Sequence, residues 1–349
     1  MEQAGITKER ANDFCREILP AVSRTFALSI RLLPGELGAA VRAAYLICRI
    51  ADTLEDEPNL PAESKAELLD LLATCFDDAR SVTAFVSAAA LIGGEPAHIR
   101  LVRHSDLVFA SYRLLPENTR AVVQLWIREM IVGMRKFVLA YPRGVRIQSL
   151  DEYKEYCYYV AGTVGYLLTD LWREHSSSIS PRRHAILRER CRAFAEALQT
   201  VNILKDVARD AEHENSIYIP EQLLREHGSS HATVLAPDRA RENRAAIAEM
   251  VELAWHDLDQ AKAYLLDIPR RAVAIRLFCA LPLLFAYATL RDLTRSWDVP
   301  GRRSVVKISR SEVKSLTVMS VVGVLSNRAM ARLVERARRK PLLLVPDRG

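Results

Sequence analysis

Apolar residues recur at three- and four-residue spacing from near Ile6 almost to the end of the chain, the period of helices that bury one face. Proline punctuates the pattern at Pro20, Pro34, Pro58, Pro61, Pro96, Pro116, Pro142, Pro181, Pro220, Pro269 and Pro300, mostly where helices would begin or end. The spacing predicts helices over 6–19, 21–33, 36–57, 62–79, 80–93, 99–114, 117–140, 149–173, 182–211, 238–266, 270–296 and 311–338. Residues 212–237 and 297–310 read as loops. Nothing alternates with period two for long enough to make a strand. The most apolar run, Leu277 to Leu290, has 14 residues between Arg276 and Arg291. A membrane span needs about 20, so this run reads as a core helix.

Composition strengthens the all-α reading. Only 13 glycines and 15 prolines occur in 349 residues, too few for the many turns of a sheet protein. An α-bundle of this size can share one core, so a single domain over 1–349 is expected, with its body at about 12–325 and a basic tail at 326–349. The net charge of +6 is too small an excess to argue for nucleic acid. Six cysteines without a CxxC pair read as buried thiols in a reducing compartment. MEQAGITKER lacks the basic-then-apolar signal pattern. The expected location is therefore cytoplasmic. The tail cations Arg328, Arg332, Arg336, Arg338, Arg339 and Lys340, with LLLV at 342–345, add a peripheral contact with the inner face of the membrane as an expectation.

Two helices carry unusual chemistry. In YLICRIADTLED, Tyr45, Arg49, Asp52 and Asp56 fall within about 60° of one another on a helix, and Glu55 borders them. In LQTVNILKDVARD, Gln199, Asn202, Asp206 and Asp210 fall within about 80°. Either acidic pair alone reads more readily as a solvated face steadied by nearby arginine; the two together do not. Both lie in apolar helices, where a polar stripe must meet something that satisfies it. Like charges four residues apart repel, and more strongly in a partly buried cleft. Hard oxygen donors without histidine or cysteine suit Mg²⁺, with Mn²⁺ as a substitute. No HxxxH or HExxH occurs, which disfavours a zinc hydrolase.

At these residues the sequence resembles the squalene and phytoene synthases, the head-to-head prenyl synthases. The resemblance covers about 12–325. SRTF at 23–26, YLICRIADTLED at 45–56, YCYYVAGTVG at 156–165, LQTVNILKDVARD at 198–210 and IYIP at 217–220 follow in the family's order. VVKISRSEVKSL at 305–316 leans toward the squalene branch, where a similar segment is linked to NADPH. The resemblance implies an isoprenoid synthase-type helical bundle around a central cavity. It implies condensation of two farnesyl diphosphates to presqualene diphosphate, then NADPH reduction to squalene. The alternatives are a synthase that stops at presqualene diphosphate, or one making phytoene or dehydrosqualene without NADPH.

Roles follow from the resemblance. Asp52, Glu55, Asp56, Asp206 and Asp210 would hold Mg²⁺, and Tyr159 would assist the proton transfer that closes the cyclopropane. Ser23, Arg24, Phe26, Tyr45, Arg49, Gln199, Asn202 and Lys205 would contact substrate. Lys307, with Arg24, Arg49 and Lys205, would contact NADPH. Gly162 and Gly165 would either admit a prenyl tail or allow close helix packing, and Phe285 would face a cation or pack in the core. Two departures stand out: Asn215, where the family usually has Arg before the IYIP-type segment, and Ser309, where squalene synthases often have Arg. Lys205 or His213 could replace the missing cation at 215. A monomer is compatible with all of this. The competing classes are an idle relative acting as a scaffold and a head-to-tail terpene cyclase. Intact DTLED and DVARD disfavour the first; YCYYVAG and VVKIS disfavour the second.

Overall fold

The computed structural model describes residues 6–295 and 306–342, apart from the Arg24 side chain. Among these, helices follow one another without a sheet. The first half holds α1 (Lys8–Val22), α2 (Arg24–Ile30), α3 (Gly35–Glu55), α4 (Ala62–Thr74), α5 (Ala79–Ala88), α6 (Pro96–Arg103), α7 (Ser105–Arg113) and α8 (Glu117–Ala140). The second holds α9 (Leu150–Cys157), α10 (Thr163–His175), α11 (Pro181–His213), α12 (Glu221–Glu226), α13 (Ala240–Asp267), α14 (Val273–Arg295), α15 (Arg310–Gly323) and α16 (Asn327–Arg339). The only β pairing among the described residues is an isolated bridge between Arg146 and Ile217.

Local chemistry sets the ends. Ser180 caps α11 by accepting from the Arg183 N–H at 3.2 Å, and Pro181 fills the first turn, where its missing N–H costs nothing. Pro20 instead lies in the last turn of α1. Three expected helices are divided. The 99–114 segment breaks at His104, whose backbone leaves the helical region. The 311–338 segment breaks after Gly323, and Ser326 caps the next helix through the Ala329 N–H. The 149–173 segment is interrupted by one π-helical turn over Tyr158–Gly162. The expected loop at 212–237 contains α12. Apolar periodicity survives a one-residue break, so it could not mark these interruptions.

The long helix α11 packs along α13 and α10 and against the π turn, while α3 lies against α7, α8 and α10. The center is α14. It is long and apolar enough to cross a membrane, but it is mostly buried inside the protein, as a core helix is. Pro282 sits in its middle and cannot donate to the carbonyl four residues back, at Phe278. All six cysteines are free, and five are buried.

Candidate active site

Two adjoining hollows open among these helices. The first is apolar. Its walls come from α2 (Phe26), α3 (Tyr45, Cys48), the π turn and α10 (Val160, Ala161, Val164), α11 (Phe194, Leu198) and α14 (Phe278, Pro282). Arg49 and Asp52 from α3 and Gln199 and Asn202 from α11 stand at its polar edge. The second is polar, with a volume of about 330 Å³. It is lined by Glu55, Asp56, Lys65, Arg143, Glu214 and Tyr218, among others.

Tyr45, Arg49 and Asp52 of one stripe and Gln199 and Asn202 of the other thus border the same hollow, while Asp206 and Asp210 line neither hollow. The Phe26 and Tyr45 rings lie 5.7 Å apart. Arg49 donates to the Tyr45 hydroxyl at 3.3 Å and pairs with Asp52 at 3.4 Å, while its Nε is buried without a partner. Burial opposes the charge on Arg49, but Asp52, Tyr45 and Asp56 together hold its pKa above the ordinary value. Lys205 pairs with Asp206 at 3.1 Å and reaches Asn202 at 3.4 Å.

The acids are short of positive charge. Burial pushes the Glu55 carboxyl up to about 8, with repulsion from Asp52 and Glu214 added and Lys65 opposing. Burial, then Glu214 and Asp206, push Asp210 up to about 8. Asp56 keeps an exposed edge, yet loss of water and repulsion from Glu214, Glu55 and Asp52 raise it well above the carboxylate range. Asp52 is raised by burial, with Arg49 and His98 pulling the other way. Glu55 Oε1 is buried and accepts no hydrogen bond. A buried, unpartnered carboxylate oxygen among mutually repelling acids fits a divalent cation. No three His, Cys, Asp or Glu side chains are gathered as a ready metal cage among the described residues. The donors present are carboxylate oxygens, which suit a hard ion such as Mg²⁺ that keeps waters and takes further ligands from substrate phosphate.

Glu214 escapes the sequence pattern as first read, although it continues the four-residue spacing of Asp206 and Asp210 on α11. It links the two acid groups, acting on Glu55 and Asp56 from one side and on Asp210 from the other. Lys65 escapes it too. It donates to the Glu55 carbonyl at 2.7 Å, and no local pattern marks it. Tyr218 of IYIP stacks on Tyr156 at 4.9 Å under the acid pocket.

Other expected residues have different places. Ser23 caps α2, accepting from the Phe26 N–H at 3.2 Å. The Arg24 side chain lies outside the described residues. Tyr159 does not line either hollow; its ring lies on Gly133 of α8, where a Cβ would collide with it. Phe285 is buried in the core, and Phe278 and Pro282 of the same helix face the hollow instead. Gly165 does touch the apolar hollow, but a Cβ there would strike the backbone carbonyl of Cys191, so it serves close α10–α11 packing. Lys307 is exposed, and Ser309 caps α15 through the Glu312 N–H at 3.1 Å. No described residue of the 306–310 segment lines either hollow, whereas Arg49, also expected at NADPH, lines the apolar one.

Asn215 has a backbone purpose. Its φ of 49° is in the left-handed region, which asparagine tolerates better than most residues. The residue directly before IYIP is Ser216, whose hydroxyl accepts from the Val145 N–H at 3.1 Å. The Asn215 amide donates to the Arg143 carbonyl and accepts from Arg146 at 2.6 Å, fastening the 142–146 loop to the end of α11. The guanidinium that lines the acid pocket is Arg143.

A family model described as squalene/phytoene synthase matches residues 19–312. Squalene synthase of Schizosaccharomyces pombe is 27% identical over 309 residues, covering 88% of this chain and 64% of its own. Squalene synthase BSS of Botryococcus braunii is 30% identical over 321 residues, covering 90% and 65%. The human squalene synthase is 26% identical over 302 residues, covering 86% and 68%. The chain therefore spans about two thirds of the length of these relatives. TcSQS in complex with E5700 superposes with a TM-score of 0.79 at 24% identity, over 95% of this chain and 98% of that one. A dehydrosqualene synthase in complex with ligand superposes at 0.59 with 19% identity, over 95% and 96%. These likenesses show a shared all-α fold, and the family match, over most of the chain and across both acidic helices, establishes that this protein is a member of the squalene/phytoene synthase family.

Proposed function

We propose that the protein condenses two farnesyl diphosphates head to head, giving presqualene diphosphate and then squalene. One observation carries the reading: Glu55 and Asp56 at the end of α3 and Glu214 at the end of α11 line one polar hollow, and Asp52 stands at the edge of an apolar one. A diphosphate with its metal ions supplies the missing cations, and the apolar hollow takes the hydrocarbon. The squalene synthases among its relatives support this substrate.

Asp52, Glu55, Asp56, Asp206 and Asp210 would hold Mg²⁺, which when bound supplies Lewis-acid neutralisation of the leaving diphosphate. Arg49, at the edge of the apolar hollow, and Lys205, beside Asn202 and Asp206, bind phosphate oxygens, Arg49 through a planar fork and Lys205 as a point charge. Arg143 and Lys65 bind from the acid-pocket side. Phe26 and Tyr45 turn π faces toward the allylic cation. Attack by the second substrate's double bond forms the new carbon–carbon bond, and loss of a proton closes the cyclopropane. Tyr159 packs on Gly133 and lines neither hollow, so we assign the proton to the departed diphosphate. The apolar lining keeps water from trapping the cation as an alcohol.

The reductive half rests on the VVKIS segment alone, so the roles of named residues stop at presqualene diphosphate. Product analysis with labelled farnesyl diphosphate and Mg²⁺, with and without NADPH, tests the whole reading. Squalene only when NADPH is present is the expected result. Presqualene diphosphate under both conditions would remove the reductive half, and a C40 product from geranylgeranyl diphosphate would overturn the substrate. Asp52→Asn and Asp206→Asn should each abolish condensation; wild-type rates in either would refute the metal assignment.

A further inference from the structure

The C-terminal hairpin of α15 and α16 has an outer face that the core does not use. Both helices lie on α14 and on each other. Their inner sides are firmly seated: Leu316, Met330, Leu333, Val334 and Ala337 are buried. Two buried arginines fasten the hairpin to α14. Arg276 donates to the Val324 carbonyl at 2.8 Å and to Asn327 at 2.9 Å. Arg291 forks onto Glu312 at 2.9 and 3.0 Å. What remains outside is therefore presented rigidly.

That outer face is apolar on α15 and basic on α16. Val318, Val321, Val322 and Leu325 are 50%, 54%, 74% and 61% exposed, following Lys314 at helical spacing along one side. On α16, Arg328, Arg332, Arg336 and Arg339 are exposed. Residues 307–342 hold nine cations and two acids, so the rest of the chain is close to neutral. Of the two acids, Glu312 is buried against Arg291 and Glu335 pairs with Lys262 at 2.7 Å. The apolar element differs from the one expected in the sequence. Leu342 is buried, its N–H donating to Glu312, and 343–345 lie outside the described residues. Arg338 turns inward, over Trp255 and onto Asp259.

We propose that this face docks on an anionic lipid surface, the valines and Leu325 entering the interface and the arginines meeting headgroup phosphates. Arg339 is partly balanced by Glu335 at 3.9 Å, but exposed aliphatic side chains beside the exposed Arg328, Arg332 and Arg336 match that surface in both chemistry and charge. Neither feature belongs to the substrate hollows.

Flotation of the full chain with phosphatidylcholine vesicles, with or without roughly one-third phosphatidylglycerol, tests it. Binding should need the anionic lipid and weaken with salt. Val318→Ser with Val322→Ser, and Arg332→Ala with Arg336→Ala, should each weaken it about tenfold or more. Val322→Trp should tighten it. Circular dichroism confirms that each variant is folded. Absence of wild-type binding to the anionic vesicles would overturn the proposal. So would binding indifferent to these residues, or binding lost with the arginines but not the valines and matched by a soluble polyanion.

Discussion

Charge balance at single residues decides what the acid pocket can do. Glu55 and Asp210 are both pushed up to about 8 in the folded protein, well above their values in an unfolded chain. Their native forms hold protons that the unfolded chain has released, so stability falls as pH rises from about 4.5 toward 8. Thermal melts in a chelator should show this fall. Mg²⁺ should reverse it most strongly near pH 8, and Glu55→Gln should flatten it; a metal-free melt that ignores pH over this range would contradict the assignment. Arg143 is the matching test on the cationic side. Arg143→Ala should weaken binding of Mg²⁺-pyrophosphate by about 1.5–3 kcal/mol, as for a charged hydrogen bond, with Arg143→Lys recovering part, measured by calorimetry. The sequence made Asp52, Asp56, Asp206 and Asp210 legible because their spacing repeats along a helix. Lys65 and Arg143 reach the same pocket from another helix and from a loop, and nothing local to either residue reports such a meeting.

At the scale of elements, close approach matters more than amphipathic pattern. The missing side chain of Gly165 lets α10 lie against the backbone of α11 at Cys191. Gly165→Ala should force these helices apart, costing about 1–3 kcal/mol in denaturant unfolding and slowing turnover by widening the apolar hollow. The π turn just before it shifts the register of α10 relative to α9. Val160 and Ala161 then face the hollow while Tyr159 covers Gly133 of α8. The YCYYVAG segment was readable as important. Which of its side chains enters the site was not, because one extra residue in a helical turn moves every later side chain by about 100°.

Across the whole molecule, the C-terminal hairpin is held by buried polar chemistry as well as by apolar packing. Arg291 and Glu312 are almost wholly enclosed. Arg291→Ala should cost about 3–5 kcal/mol, because Glu312 is left charged and buried, whereas Arg291→Met with Glu312→Leu should cost far less. Chemical denaturation of both variants separates the two outcomes. By itself the sequence determined that the chain is all helical, that α14 belongs to the interior, and that two helices carry paired acids. These follow from periodicity and composition, which act within one segment. Only the tertiary structure decided that Glu214 joins the acid groups, that Ser23 and Ser309 are spent on helix caps, and that valines rather than LLLV accompany the basic tail. Each depends on which faces meet across helices far apart in the chain, where long-range packing, rather than local spacing, determines a side chain's surroundings.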